Sequence, residues 1–300
     1  MIYTITMNPA LDYVVDLNEF VTGQVNRVEQ EHIFYGGKGI NVSVVLKELG
    51  FESCCLGFVG GFTGDEIERG VKELGLKSNF IKVQKGMTRI NVKIHSRQET
   101  ELNGLGPIVE EDDMEKLFEQ LDQLHDGDVL ILSGSVPACM SKTVYFDILE
   151  RLKMKNIKVI VDATGDLLKK TLAYHPFLIK PNNHELAELF QVELYSIQDI
   201  EKYARKLQDM GAQNVLISMA KDGSLLIDEF GKIHQLGVCQ GKVENSVGAG
   251  DSMVAGFIAG CLSKMSYKET LKLATATGGA TAFSKGLATK EKIDELLKQL

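Results

Sequence analysis

The sequence of 300 residues lacks several patterns that would assign it to a familiar class of protein. Its five cysteines contain no C-x-x-C pair, and neither they nor the six histidines cluster at the spacing of a zinc site. No apolar run approaches the length of a membrane span, and the first residues lack the basic and long apolar segments of a signal peptide. We therefore expect a cytoplasmic protein whose cysteines are reduced.

An excess of positive charge is also missing. The formal net charge is −8, which argues against general binding to nucleic acids or to anionic membranes. This charge does not exclude a small anionic substrate, because such a ligand needs only a few local cations. The hydrophobic fraction of 44% and the charged fraction of 25% are those of an ordinary globular protein, so the chain can bury a large core without disulfides or metals.

No internal repeat divides the chain, and neither does a linker rich in proline, glycine or serine. Instead, short apolar runs alternate with amphipathic segments of helical length. The alternation predicts an α/β fold with a mostly parallel sheet that is covered by helices on both faces. The chain after Gly250 is predicted to be helical, with interruptions at Gly260, Gly278–Gly279 and Gly286. The strand-like runs are 128–133, 157–162, 177–180 and 214–218, and the helical segments include 113–124, 141–154 and 197–210.

Three short segments depart from this alternation. Residues 12–17 and 28–35 are extended runs with no helix between them, and 88–95 alternates strictly between polar and apolar residues. The segment 88–95 is either a half-buried strand with a solvated polar face, or part of a small accessory sheet that places a cationic face over a site. Its polar positions are Arg89, Asn91, Lys93 and His95.

A glycine-rich turn, Val247-Gly-Ala-Gly-Asp251, precedes an apolar segment suited to a buried helix. Small residues before a helix let backbone N–H groups converge on an anion, and the helix dipole favours negative charge there. In the alternative interpretation, Asp251 caps or begins the helix and the glycines only make a turn. Walker A, dinucleotide-binding and protein-kinase signatures are all missing, so phosphate chemistry here requires another framework.

Two further segments are compatible with phosphate binding. The turn at 35–42 brings the cation of Lys38 and the amide of Asn41 to the start of a helical run. Later in the chain, Asn182 and Glu185 have the spacing of a capping box, which a helix start alone would explain. The carboxylate of Glu185 is also suited to orient magnesium-bound water beside nucleotide phosphates.

Seven segments, in this order, resemble the PfkB sugar-kinase family within the ribokinase-like fold, over essentially the whole chain. They are Asn8-Pro-Ala-Leu-Asp12, Gly36-Gly-Lys-Gly-Ile-Asn41, Ser133-Gly-Ser-Val-Pro137, Val161-Asp-Ala-Thr-Gly165, Lys180-Pro-Asn-Asn-His-Glu185, Val247-Gly-Ala-Gly-Asp251 and Ala282-Phe-Ser-Lys-Gly-Leu-Ala288. The resemblance implies one kinase domain over residues 1–300, with a three-layer α/β/α arrangement, a mostly parallel central sheet and a small β-sheet lid. The lid strands would lie at about 12–17, 28–35, 88–95 and 99–103.

Within the family, Thr88-Arg-Ile-Asn-Val-Lys-Ile94 and Thr100-Glu-Leu-Asn-Gly-Leu-Gly-Pro107 resemble the bacterial 1-phosphofructokinase branch, with tagatose-6-phosphate kinases as the neighbouring branch. This resemblance implies transfer of the γ-phosphoryl group of ATP to a sugar phosphate, with fructose 1-phosphate giving fructose 1,6-bisphosphate. A ribokinase-like enzyme for an unphosphorylated sugar is a rival, but a neutral sugar needs no cation cluster such as Lys38, Arg89 and Lys93. A non-catalytic sugar-phosphate-binding regulator is a second rival, and the intact Asp251 with the intact turn before it argues against that alternative.

The same resemblance implies roles for individual residues. Asp251 would act as general base toward the sugar hydroxyl, and its amide would form an anion hole with those of Gly248, Ala249 and Gly250. The sugar and its phosphate would be bound by Asp12, Gly37, Lys38, Asn41, Arg89 and Ser135. The nucleotide would be bound by Lys180, Asn182, Glu185, Gly223, Gly278 and Ser284. ATP and Mg²⁺ are the implied cofactors, without a dedicated cage of metal ligands in the chain.

The resemblance also bears on assembly, and it includes one departure. The lid often forms a dimer clasp in this family, which implies a homodimer in which Arg27 reaches the neighbouring subunit's site.

The family's Ser-Leu-Gly-x-x-Gly-Ala loop reads Ser218-Met-Ala-Lys-Asp-Gly-Ser224 here, with Ala220 in place of a glycine. We therefore expect the backbone near the nucleotide to differ at this point.

Overall fold

The apolar runs of the sequence become strands and the amphipathic segments become helices in a computed structural model that describes all 300 residues. In chain order the strands are β1 (Ile2–Thr6), β2 (Ala10–Asp16), β3 (Gln30–Gly36), β4 (Ser53–Gly60), β5 (Lys77–Ser78), β6 (Ile81–Val83), β7 (Arg89–His95), β8 (Thr100–Asn103), β9 (Val129–Ser133), β10 (Lys158–Asp162), β11 (Leu178–Ile179), β12 (Asn214–Ser218), β13 (Ser224–Ile227) and β14 (Ile233–Leu236). The helices are α1 (Lys38–Glu48), α2 (Gly61–Glu73), α3 (Glu111–Asp122), α4 (Val144–Leu152), α5 (Gly165–Thr171), α6 (Asn183–Phe190), α7 (Ile197–Asp209), α8 (Ala249–Leu262), α9 (Tyr267–Ala282) and α10 (Lys290–Leu297). None of these helices is both long enough and apolar enough to cross a membrane.

The central sheet is mostly parallel and has helices on both faces. Its strand order is β14-β13-β12-β11-β10-β9-β1-β4-β5, with β6 also paired to β4, and only the β12–β13 and β13–β14 pairs are antiparallel. Alternate residues of β9 enter different cores, because successive side chains of a strand point to opposite faces. Leu130 and Leu132 join one core, whereas Val129 and Ile131 join the other. The predicted three-layer α/β/α arrangement is therefore confirmed.

Polar residues occupy the carboxyl ends of three neighbouring strands of this sheet. Thr6 of β1 pairs with Ser133 of β9, and Ser133 pairs with Asp162 of β10. Paired residues of parallel strands project to the same face, which here is the face of Ile131 and of the core shared with α1 and α8. The sheet thus carries a buried carboxylate to the edge at which parallel α/β folds bind their ligands.

A second sheet, which we call the lid sheet, has the strand order β3-β2-β7-β8. The pairs β2–β3 and β7–β8 are antiparallel, and β2–β7 is parallel. The register places Asp12 opposite Asn91, so that their side chains share one face. Ile90 and Leu11 lie on the other face, where both pack into a small core that contains Val59. The strict alternation of residues 88–95 therefore produces a strand with two different faces, as predicted.

Of the glycines predicted to interrupt the C-terminal helices, only Gly286 lies outside a helix. Gly260 belongs to α8 and Gly278–Gly279 to α9, so the prediction for these residues was wrong. A methyl group on Gly260 would come within 2.8 Å of Thr270 Oγ1, and one on Gly278 within 2.5 Å of Met253 Cγ. Only glycine permits α8 and α9 to pack this closely, and the packing compensates for the low helix propensity of glycine.

The 3-10 turn at Ala220–Asp222 contains the alanine that stands in place of a family glycine. Its φ angle is 47°, in the left-handed region where a residue with a β-carbon is strained. Ala220 thus adopts a conformation that glycine favours, instead of turning the backbone to negative φ. The substitution costs stability but preserves the turn.

We expect Ala220→Gly to raise the free energy of unfolding by up to about 1 kcal/mol, because it removes the left-handed strain. The matched control is Ala187→Gly in α6, which should lower the free energy of unfolding by about 0.5–1 kcal/mol, since glycine weakens a helix. Urea unfolding followed by circular dichroism measures both changes. Equal losses of stability in the two variants would contradict the strain at Ala220.

Candidate active site

The glycine turn before α8 leaves backbone amides free to bind an anion. Gly248 is the N-cap of α8 and has a φ of 79°, a left-handed conformation that favours glycine. The amides of Gly248, Gly250 and Asp251 donate to no acceptor in the chain, since the first turn of a helix has no intrahelical acceptor. The amide of Ala249 is different, because it donates to the carbonyl of Ser246 at 3.2 Å. The predicted anion hole therefore has three unpaired donors.

Asp251 itself does not cap α8, since no side chain accepts a capping hydrogen bond at this helix start. The residue is 5% exposed, and its Oδ2 accepts a hydrogen bond from Asn41 Nδ2 of α1 at 2.8 Å. Burial raises the pKa of Asp251 to about 6, and the charge of Asp162 adds to the rise. Lys38, the bond from Asn41 and then Lys180 act in the opposite direction. A fixed carboxylate with a pKa near neutrality is suited to accept a proton.

A second buried carboxylate, Asp162 at the end of β10, holds two lysines. Its Oδ2 accepts a hydrogen bond from Lys38 Nζ at 3.0 Å, and its Oδ1 lies 3.6 Å from Lys180 Nζ. Burial by itself would raise the pKa of Asp162, but the attraction of Lys180 and of Lys38 lowers that pKa below its usual value. Burial disfavours the charge on Lys38, yet the attraction of Asp162 outweighs it and raises the pKa of this lysine. Asp162 and Lys38 therefore form an ion pair at neutral pH.

The turn before α1 brings Lys38 to this edge of the sheet. Gly37 has a φ of 133°, and a methyl group there would come within 2.5 Å of Thr6 Cγ2, so the turn can approach β1 only as glycine. Lys38 is the first residue of α1, and Asn41 follows three positions later on the same side of the helix. Both side chains consequently reach the acidic pair at the carboxyl ends of the strands.

On the lid sheet, Asp12 is held by two side chains of β7. Asn91 Nδ2 donates to Asp12 Oδ1 at 2.8 Å, and Lys93 Nζ lies 3.4 Å from Asp12 Oδ2. Asn91 is buried, and its Oδ1 accepts a hydrogen bond from the amide of Gly104 at 3.2 Å. A methyl group on Gly36 would lie 2.6 Å from Asp12 Oδ2, so the carboxylate sits against the chain that leads into α1. Two polar side chains of β7 therefore orient a carboxylate, whereas His95 at the end of the strand is 43% exposed.

Arg89 begins β7 and presents one edge of its guanidinium group. Its Nε donates to the carbonyl of Asn8 at 3.2 Å, and its two terminal nitrogens donate to no acceptor in the chain. Burial lowers the pKa of Arg89, and the charge of Asp12 partly offsets this effect. An arginine in a protein keeps its charge in any case. Its two terminal nitrogens are thus available for bidentate binding of a phosphate.

The segment after β11 combines a helix cap with a candidate for metal binding. Asn182 Oδ1 accepts from the amide of Glu185 at 2.8 Å, and Glu185 Oε2 accepts from the amide of Asn182 at 2.8 Å, so the capping box is confirmed. The other carboxylate oxygen of Glu185 has no donor in the chain. No three histidine, cysteine, aspartate or glutamate side chains form a ligand set anywhere in the structure. A magnesium ion that keeps phosphate and water ligands fits such a site.

The remaining predicted residues lie in different surroundings. Gly223 ends the 3-10 turn before β13 with a φ of 94°, and Ser284 lies in the loop after α9. Gly278 is buried against α8, so its observed contact is helix packing. Ser135 and Arg27 are exposed in the loops after β9 and β2, and neither side chain forms a hydrogen bond or ion pair within the chain. Their roles in binding stay predictions.

Lys180, which was predicted to bind the nucleotide, lies against the glycine turn that was predicted to take part in catalysis. A methyl group on Gly250 would lie 3.0 Å from Lys180 Nζ, so the ammonium group rests against the glycine turn. The same ammonium group faces Asp162, which also binds Lys38, and the charges of both lysines act on Asp251. One cluster therefore combines a turn with unpaired amides, a buried carboxylate with a raised pKa and two cations. Phosphoryl transfer needs this combination of alignment and charge neutralisation.

Three residues that organise the site had no individual role predicted for them: Asp162, Asn91 and Lys93. Asp162 ends a buried apolar run, and a carboxylate in that position needs a partner, which is a signal that the sequence does contain. The partner itself was not visible, since Lys38 lies 124 positions earlier in the chain. Asn91 was recognised only as a member of a polar face, and Lys93 also as one cation of a cluster. Their contact with Asp12 was not predicted, because it depends on the pairing of β2 with β7.

The chain belongs to the pfkB family of carbohydrate kinases, whose sequence model matches residues 5–294, and it is thus a phosphotransferase that acts on a hydroxyl group. A 1-phosphofructokinase of Bacillus subtilis is 43% identical to it over 300 residues, covering 100% of this chain and 98% of that protein. A D-tagatose-1-phosphate kinase of Bacillus licheniformis is 38% identical, with coverage of 100% and 98%. The structure of Escherichia coli phosphofructokinase-2 in complex with substrates and products has a TM-score of 0.94 and 26% identity, and it covers 100% of this chain and 99% of that chain. The family and the fold expected from the sequence are both confirmed.

The burial of Asp251 should destabilise the folded protein at neutral pH. Its folded pKa of about 6 lies above the ordinary value of 3.8, so the folded chain binds more protons than the unfolded chain between these two pH values. The destabilisation is complete above pH 6 and disappears as the pH falls toward 3.8. We therefore expect Asp251→Asn to raise the free energy of unfolding at pH 7.5 by about 1–3 kcal/mol, with a smaller gain at each lower pH.

Denaturant unfolding of both proteins between pH 4 and pH 8 measures this difference. Asp209→Asn is the matched control, because Asp209 is exposed at the end of α7 and the substitution removes a carboxylate from the surface instead of from the buried cluster. A gain for Asp251→Asn that stays constant across the pH range would contradict the raised pKa.

Proposed function

We propose that this chain uses ATP to phosphorylate the C6 hydroxyl of fructose 1-phosphate, which gives fructose 1,6-bisphosphate and ADP. The observation that carries the proposal is the buried carboxylate of Asp251, which Asn41 holds beside the unpaired amides of the turn before α8. The 43% identity with a 1-phosphofructokinase over the whole chain supports this choice of substrate. The relative named D-tagatose-1-phosphate kinase makes the C4 epimer, tagatose 1-phosphate, a second candidate.

In this proposal, the free Oδ1 of Asp251 accepts the proton of the C6 hydroxyl while Asn41 fixes Oδ2. The C6 oxygen forms a bond to the γ-phosphorus of ATP, and the bond from that phosphorus to the bridging oxygen breaks, so that ADP leaves. The unpaired amides of Gly248 and Gly250, with that of Asp251, receive the negative charge of the transferred group. A preorganised donor of this kind is typically worth about 100- to 1000-fold in rate.

The cations divide between the two substrates. Arg89 binds the phosphate that the sugar already carries, because the free edge of its guanidinium group matches two phosphate oxygens. Asp12 accepts hydrogen bonds from sugar hydroxyls, since Asn91 and Lys93 already fix its orientation. Lys38 lies between the sugar side and the transferred group. A neutral sugar would leave the charge of Arg89 without a partner, which disfavours an unphosphorylated substrate.

The nucleotide lies on the side of the glycine turn where Lys180 rests against Gly250. Its other contacts in this proposal come from Gly223 and from Ser284. Bound magnesium would neutralise charge on the phosphates, held by their oxygens and, through water, by the free carboxylate oxygen of Glu185. Lys180 assists the same neutralisation from the protein side.

We further propose a homodimer that forms through the lid sheet. A row of apolar side chains crosses one face of this sheet, and its two ends, Ile33 and Leu102, are 56% and 59% exposed. Exposed apolar rows of this kind commonly mark an interface. The loop before β3 presents Arg27, which has no partner in its own chain, and Asn26 braces that loop with hydrogen bonds to the backbone of Val21. In the dimer, Arg27 of each subunit reaches across the interface and binds the sugar phosphate in the other subunit's site.

The substrate is tested by a coupled assay of ADP release with Mg²⁺ and ATP. We expect the highest kcat/KM for fructose 1-phosphate, with fructose 6-phosphate and tagatose 6-phosphate lower by at least about tenfold, since in this proposal Arg89 binds a phosphate at one end of the sugar only. A higher kcat/KM for tagatose 1-phosphate or tagatose 6-phosphate would assign the chain to that substrate instead. The proposal fails if none of the four stimulates ADP release. Asp251→Asn is the control, and it should bind ATP but lose at least about 100-fold in kcat.

The action of Arg27 across the dimer is tested by mixing two inactive variants, Arg27→Ala and Asp251→Asn, under conditions that exchange subunits. A mixed dimer then contains one site with the intact Asp251 and with the intact Arg27 of its partner. We expect activity to return, up to a quarter of the wild-type value for random exchange of equal amounts. Mixtures that stay inactive although exchange is complete would show that Arg27 acts within its own chain.

A further inference from the structure

Asp162 divides its two carboxylate oxygens between two lysines that come from different parts of the fold. Oδ2 faces Lys38 at 3.0 Å and Oδ1 faces Lys180 at 3.6 Å, and the side chain of Asp162 is 3% exposed. Lys180 is also buried, whereas Lys38 is 37% exposed. Asp162 and Lys180 thus lie beneath the site, whereas Lys38 extends toward solvent.

Each lysine serves a different side of the reaction centre. Lys180 Nζ rests against the glycine turn, since a methyl group on Gly250 would lie 3.0 Å away. The stem of Lys38 runs along the loop after β9, where a methyl group on Gly134 would lie 3.6 Å from Lys38 Cγ. Asp162 is therefore the carboxylate that pairs with both lysines: with Lys180, which rests against the glycine turn, and with Lys38, which begins α1.

A second carboxylate, that of Asp251, competes for the same lysines. The charges of Lys38 and Lys180 both act on it, but neither ammonium group lies within 4 Å of its oxygens. The four groups balance two negative against two positive charges. Without Asp162, the charge of Asp251 would still attract both lysines, and an ammonium group bonded there would occupy the oxygen that must accept a proton.

We propose that Asp162 is a positioning residue, which holds Lys38 and Lys180 on two sides of the reaction centre and keeps both ammonium groups off the carboxylate of Asp251. The inference rests on the proposed function, because it assigns Asp251 as the proton acceptor. Stability alone does not account for the arrangement, since an apolar group in place of a buried ion pair is often equally stable or more stable.

The groups that face Asp251 fix the sign of the expected effect on the pH profile. They are Asp162 of β10, Lys38 and Asn41 of α1, and Lys180 after β11. Removing the charge of Asp162 lowers the pKa of Asp251, because a repelling carboxylate is lost and two attracting lysines are released toward it. Removing the charge of Lys180 raises the pKa of Asp251 for the opposite reason.

The test measures kcat/KM for fructose 1-phosphate from pH 5 to pH 9 at saturating ATP. In Asp162→Asn, we expect kcat to fall by about 10- to 100-fold. We also expect the acidic limb of the profile to shift to lower pH, by about one pH unit. In Lys180→Met, the acidic limb should shift to higher pH instead. Ionisation of the substrate's own phosphate is common to all variants, so the differences report the protein. The control Asp209→Asn should leave the profile unchanged, since Asp209 is exposed at the end of α7.

A fall in kcat with an unmoved acidic limb in Asp162→Asn would overturn the proposal and leave Asp162 with a purely structural role. If Asp162→Asn does not fold, the double variant Asp162→Asn/Lys180→Met restores the balance of charges, and Lys180→Met alone still tests the sign. A downward or absent shift in Lys180→Met would overturn the proposal by itself. Wild-type protein that releases no ADP with fructose 1-phosphate would instead refute the proposed function, so the two failures are distinguishable.

Discussion

Two ammonium groups and one carboxylate meet at the carboxyl edge of the central sheet, and the site is organised around their attraction. Asp162 ends β10, Lys38 begins α1 and Lys180 follows β11, so the ion pairs join three separate segments. Buried ion pairs contribute little net stability, because desolvation offsets much of the attraction. Their effect here is to fix the positions of the two ammonium groups before any phosphate binds. The reaction then costs less entropy, because these side chains are already ordered.

The same surroundings place a limit on stability. Asp251 is buried near Asp162, and its pKa of about 6 means that its negative charge at neutral pH is held at the expense of the folded state. The left-handed Ala220 is a second strained position, in the loop that the family resemblance assigns to the nucleotide. Strain of this kind persists at functional sites only where the surrounding structure holds it in place. Here the close packing of α8 on α9 holds the turn that carries Asp251.

Much of the fold was predictable, because apolar periodicity reflects local burial. The predicted runs 128–133 and 214–218 correspond to β9 and β12, and the segment 197–210 corresponds to α7. The glycines of α8 and α9 were misread, since the effect of a glycine depends on what packs against it. The antiparallel hairpin of β13 and β14 was not predicted at all. In the site, the residue types were recognised from family segments, whereas the carboxylate that binds both lysines was not recognised.

Sequence patterns alone were enough to predict the α/β class, the two-faced strand at 88–95, the capping box of Asn182 and Glu185, and the glycine turn before α8. Each of these depends on residues that are close together in the chain, so local periodicity and spacing reveal them. Two contacts became visible only in the folded chain: Asn41 holds Asp251, which lies 210 positions later, and one aspartate faces both lysines. Such contacts depend on strand order and helix crossings, because the carboxyl ends of parallel strands bring distant segments to one edge.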